Sequence, residues 1–109
     1  MPTASEVSAF LAQVKSALKT NNYKILDRRT HYMSTLAQLG IVQQDVINDI
    51  YGLTQNENWS KEPDNNPSFP GSVWICKKNL HGQCIYIKLK IKSSDNGLLL
   101  VMSYHIDGM

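Results

Sequence analysis

The sequence predicts an α+β domain: N-terminal helices packed on one face of a small antiparallel β-sheet. Three observations predict it. Apolar residues recur at helical spacing up to about residue 53, the period falls to two after residue 71, and turn-forming residues bound each two-period segment. A chain of 109 residues suits one domain, spanning 1–109. With 42% hydrophobic and 18% charged residues, the composition is that of an ordinary globular protein rather than a disordered or membrane-spanning one. No apolar run approaches the roughly 20 residues that cross a bilayer, so no membrane partner is expected. The opening MPTASEVSAF lacks a basic segment followed by an apolar one, and the expected location is the cytoplasm.

The first helix is expected to start at a capping box, Thr3 with Glu6, and to turn Val7, Phe10, Leu11, Val14 and Leu18 inward. It should end near Asn21-Asn22, residues that tolerate the left-handed conformation. After an extended piece, Tyr23 to Leu26, Asp27 can cap a second helix carrying Met33, Leu36, Ala37 and Leu39, closed by Gly40. A third runs from about Gln43 to Leu53 with Val46, Ile47, Ile50 and Leu53 inward. From Thr54 the pattern stops. TQNENWSKEPDNNPSFPG is polar, its prolines at 63, 67 and 70 oppose helix and central strand, and it is expected to be a long loop. Trp59 within it is expected to anchor to the core, with base stacking the alternative.

The second half reads as strands. Residues 72–79 and 83–92 form a hairpin about His81-Gly82, which sets Leu80 opposite Gln83, Cys76 opposite Ile87 and Cys84 opposite Asn79. On that register the two thiols are not opposed, and no disulfide is expected. In QCIYIKLKIK the aliphatics Ile85, Ile87, Leu89 and Ile91 share one face; Tyr86, Lys88 and Lys90 share the other. Asp95-Asn96-Gly97 signals a turn into a last strand, residues 98–105, apolar on both faces as far as Ser103. Either Leu99, Val101, Ser103 and His105 face outward or their complement does; only the first brings polar groups to Tyr86.

Charge is unevenly placed. Residues 73 to 92 carry five lysines and no acid, against +2 for the whole chain, which leaves −3 elsewhere. Such a hairpin can concentrate phosphates, although lysine is also the usual solvent-side residue of a sheet. Neither the two cysteines nor the three histidines show metal-ligand spacing, so no metal or other cofactor is expected. Arg28 and Arg29 at a helix start are poorly placed for its dipole, which points to phosphate or partner contact, with ordinary surface residues the equal alternative.

The succession LAQLGIVQQDVINDIYGL, the proline-bearing stretch, PGSVWICKKNLHGQCIYIKLKI and finally VMSYH resembles the MqsR-type toxins of bacterial toxin–antitoxin pairs. The resemblance runs from about Leu11 to His105. It implies a RelE-like fold, a metal-independent endoribonuclease acting on mRNA, and a cognate antitoxin protein as partner. The tyrosine of the family's middle hairpin strand falls on Tyr86, with Lys88 two residues on. The basic residue of the last strand, lysine in one branch, falls on His105, and the lysine before the hairpin on Lys61. Where that branch has glutamine after the tryptophan, this chain has Ile75, so its active site differs in detail.

Metal-free RNA cleavage uses the 2′-hydroxyl as nucleophile. The protein must take that proton, stabilise the charged phosphorane and protonate the departing 5′-oxygen. Histidine can do the first or last, lysine the second, and tyrosine can position a phosphate or stack on a base. The expected catalytic set is therefore Tyr86, His105, Lys88 and Lys61, with Lys77, Lys88, Lys90, Arg28 and Arg29 as RNA contacts. Two alternatives use the same face without chemistry: an RNA- or DNA-binding module, and a protein–protein module with an acidic partner.

Overall fold

The structure, a computed structural model, describes residues 2–26, 30–64, 71–92 and 95–108. Helix α1 (Ala4–Lys19) begins with the expected capping box, Glu6 N–H donating to Thr3 Oγ1 and Thr3 N–H to Glu6 Oε1. It ends with Asn21 in the left-handed region (φ 57°) and Asn22 N–H bonded to Ala17 O, which satisfies a carbonyl the helix leaves open. Strand β1 (Tyr23–Ile25) follows, then α2 (Thr30–Leu39), closed at Gly40 (φ 68°), and α3 (Gln43–Tyr51). Val42 starts α3 without a side-chain oxygen; Asp45 supplies the cap by accepting from the Val42 N–H. The expected cap Asp27 lies outside the described residues.

Four further strands complete the chain: β2 (Asn58–Pro63), β3 (Ser72–Leu80), β4 (Gln83–Lys92) and β5 (Leu98–Ile106). They form one sheet in the order β1-β5-β4-β3-β2, antiparallel except that β1 lies parallel to β5. The hairpin has the expected register, Leu80 opposite Gln83 and Cys76 opposite Ile87, about a turn with positive φ at both His81 and Gly82. β2 corrects the expectation of a continuous loop. An edge strand needs only one well-seated side chain, and Trp59 supplies it, 4% exposed, while Pro63 falls at the strand's end where a missing donor costs little.

Helices α1 and α3 cover one face of the sheet, and α2 lies along the edge of β5 beyond β1. Val7, Phe10, Leu11, Val14 and Leu18 of α1 and Val46 and Ile50 of α3 pack with Ile85, Ile87, Leu89, Leu99, Val101 and Tyr104. Trp59 Nε1 donates to Thr54 O, and its ring meets Phe10 and Trp74 edge-on, so it is the anchor and does not stack on bases. In α2 the inward residues are Tyr32, Thr35 and Leu36, whereas Met33 is 58% exposed. The helix is turned to follow β5: beyond Val101 that strand has lost β1 as a neighbour, and Thr35 Oγ1 accepts from the Ile106 N–H. At the end of β4, Ile91 is only half-buried and Lys90 is the buried residue, a correction to simple alternation.

Candidate functional site

On the face away from α1 and α3, cross-strand register builds two adjacent rows. One runs Asn58, Lys77, Tyr86, His105; the other runs Ser60, Ile75, Lys88, Ser103. Residues two apart on a strand lie about 7 Å apart, so Lys88 neighbours the Tyr86 position.

His105 reaches this face through an irregularity. Lys88 pairs with Ser103 but Leu89 with Val101, so Met102 is an extra residue in β5. Strict alternation would have put Val101 and His105 on the same face. With the bulge, Leu99 and Val101 point into the core and so does Tyr104, while Ser103 and His105 point out. Neither alternation expected for this strand is correct; the strand uses one before Met102 and the other after it. Tyr104 holds the inward half. It is 1% exposed, and its hydroxyl donates to Asp49 Oδ2 on α3 at 2.6 Å. The same carboxylate oxygen lies 2.8 Å from His81 Nε2, so α3, the hairpin turn and β5 meet at one residue. Burial, followed by the bond to Asp49, pushes the Tyr104 hydroxyl well above the ordinary phenol range.

The imidazole of His105 stacks on the Tyr86 ring, centroids 5.1 Å apart and planes 16° from parallel. Its Nδ1 lies 3.0 Å from the Ile106 carbonyl oxygen. A carbonyl can only accept, so Nδ1 carries the hydrogen and neutral His105 keeps its lone pair on Nε2. A second histidine completes the cluster: His31, exposed at the start of α2, meets His105 edge-to-face at 5.6 Å. His31, His81 and His105 lie far apart in the sequence, without metal-ligand spacing. No local motif links His31 to His105; only the packing of α2 along β5 does.

Folding also redistributes the hairpin's charge. Lys77 pairs with Asp107, Lys78 with Glu57, Lys90 with Asp64 and Lys92 with Asp95. Glu57 is partly buried, which alone would raise its ionisation; the bonds from Lys78 and the Thr54 N–H outweigh this and hold it below the usual carboxylate value. Among the described residues Lys88 is the one lysine of the hairpin without a carboxylate partner. Lys90 is 2% exposed and 2.6 Å from Asp64, a buried pair that presents no ammonium to a ligand, contrary to its expected role in RNA contact. Lys77 stays half-exposed in the Tyr86 row. Arg28 and Arg29 lie outside the described residues.

Lys61 is not brought to this cluster. It registers with Trp74, which shares the helix-side face with Leu89, so it points away from Tyr86. Its ammonium sits 5.1 Å over the Trp74 ring and bonds Glu6 of α1 at 3.2 Å. There it lines a cleft of about 350 Å³ with Phe10, Gln13 and Ile91. Both cysteines are free, and burial, with the Glu57 charge adding to it, pushes the Cys76 thiol up to about 12. Among the described residues no three His, Cys, Asp or Glu side chains group as a metal site, and no helix is long and apolar enough to cross a membrane.

Set against protein-family models, curated proteins and solved structures, the chain matches none.

Proposed function

We propose that the face bearing Tyr86, Lys88 and His105 is the active site of a metal-independent endoribonuclease, the toxin of a toxin–antitoxin pair that inhibits growth by cutting mRNA. The observation that carries the reading is the stack of His105 on Tyr86, with Nδ1 occupied and Nε2 left to exchange a proton, beside Lys88, which among the described residues has no carboxylate partner. In this reading Lys88 stabilises the anionic phosphorane, Tyr86 orients the phosphate or stacks on a base, and His105 moves the proton. The motif order from Leu11 to His105, which resembles the MqsR-type toxins, supports mRNA as the substrate and a cognate antitoxin as the partner. A cytoplasmic location follows from that substrate.

Inducible expression in bacteria tests the reading. The intact chain should arrest growth and fragment mRNA, and His105→Ala should do neither at equal protein level. Intact mRNA and normal growth with the wild-type chain would refute it. The non-catalytic alternative differs at one point: a binding module would survive loss of His105 with its function unchanged.

A further inference from the structure

Resting on the ribonuclease reading, we infer that His31 is a second catalytic residue, the general acid that pairs with His105 as general base. Cleavage at a phosphodiester needs two proton transfers, at atoms on opposite sides of phosphorus, because attacking and leaving oxygens lie roughly in line. One imidazole beside Tyr86 serves one of those positions. His31 comes from a different element, α2, and reaches the same phosphate-sized region with its ring 5.6 Å from that of His105 and nearly perpendicular to it. The perpendicular arrangement points the two rings in different directions, as two transfers at separate oxygens require.

The division of roles follows from the surroundings. His105 sits on a strand, clamped by the Tyr86 ring and by its own Nδ1–H bond to the Ile106 carbonyl, so the neutral ring offers the Nε2 lone pair. That is the arrangement of a base. His31 is exposed at its helix start and can be reprotonated directly from solvent between turnovers. Among the described residues, the charged groups on the rows beside His105 are Lys88 in the next row and Lys77 with its partner Asp107 in the Tyr86 row. The step balances as follows. The 2′-oxygen forms a bond to phosphorus as its proton passes to His105 Nε2. The bond from phosphorus to the 5′-oxygen breaks, and the 5′-oxygen takes a proton from the His31 imidazolium. The products are a 2′,3′-cyclic phosphate and a 5′-hydroxyl; His105 leaves the step protonated and His31 neutral, and water exchanges the two protons.

Two substrates separate the roles: an oligoribonucleotide with a normal 5′-oxygen at the cleaved bond, and the same molecule with sulfur in that position. A thiolate departs without being protonated, so it needs no general acid. On the oxygen substrate His31→Ala and His31→Gln should each lower kcat by about a hundredfold to ten-thousandfold, the usual range for a general acid or base. On the sulfur substrate the same variants should cut nearly as fast as wild type, while His105→Ala should stay impaired on both. Circular dichroism should be unchanged, since His31 is exposed. His31 variants within twofold of wild type on oxygen, or equally impaired on both substrates, would overturn the inference and leave the ribonuclease reading intact. A wild-type chain that cuts neither substrate would overturn both.

Discussion

Tyr104→Phe removes a single hydroxyl from the residue that pins the inward half of β5. The hydroxyl is buried and donates to Asp49 at 2.6 Å, a bond to a charged acceptor. Such bonds contribute about 1.5–3 kcal/mol, and since Asp49 keeps His81 at 2.8 Å as a second partner, the loss should lie near the low end, about 1.5–2 kcal/mol. Against a total of roughly 5–15 kcal/mol for a small domain, that is readily measured by urea unfolding. The pH dependence is the sharper test. Burial and Asp49 raise the phenol's ionisation above its unfolded value, which is near ~10. Between those two values the folded chain holds a proton the unfolded chain has released. The stabilisation is therefore complete below about pH 10 and declines above it by about 1.4 kcal/mol per pH unit. Lysines and the other tyrosines titrate alike in both proteins and cancel in the difference. The wild-type advantage should thus be constant up to about pH 9.5 and shrink above it. An advantage that persists undiminished to about pH 11, or is absent at neutral pH, would show that the Tyr104–Asp49 bond is not what holds the strand.

Deleting Met102 removes the extra residue of the bulge, and plain alternation from Val101 then keeps Ser103 outward, Tyr104 inward and His105 outward. That variant should keep the Tyr104–Asp49 bond and the Tyr86–His105 site and lose less stability than Tyr104→Phe by urea unfolding; a larger loss, together with loss of the site, would refute the bulge. RNA affinity should fall with salt, and Lys88→Gln should reduce the slope by roughly one unit at most, whereas Lys61→Gln should leave it unaltered because Lys61 lies on the other face. An affinity indifferent to salt would favour the acidic-protein partner. A thiol reagent should label the half-buried Cys84 in the native protein and Cys76 only after unfolding, since Cys76 is fully buried and its thiol is pushed up to about 12.

The hairpin was legible because two independent signals agreed, the alternation from Ile85 to Leu89 and a two-residue turn at His81-Gly82. Helix limits followed from local chemistry at Thr3, Asn21 and Gly40. The site was less legible because it depends on contacts between distant residues. A bulge leaves no mark in a strand that is apolar on both faces, so the position of His105 could be posed only as one of two alternatives. The hairpin's basic field shrank once Glu57, Asp64, Asp95 and Asp107 folded against it; a window of sequence counts the lysines and misses those partners. β2 was hidden by its polar outer face, and Lys61, two residues beyond Trp59, falls on the core side for the same period-two reason. His31 carried no signal at all until α2 was laid along β5.

The central claim is that one sheet face, with His105 stacked on Tyr86 beside Lys88, cleaves RNA without a metal. Its most direct measurement is the rate at which the purified chain cuts a defined RNA in the presence of EDTA, compared with His105→Ala of matched circular dichroism. The wild-type chain should cleave, indifferent to the chelator, and His105→Ala should be slower by about a hundredfold to ten-thousandfold while binding the RNA almost as well. Cleavage that stops on chelation, or that persists unchanged in His105→Ala, would contradict the claim.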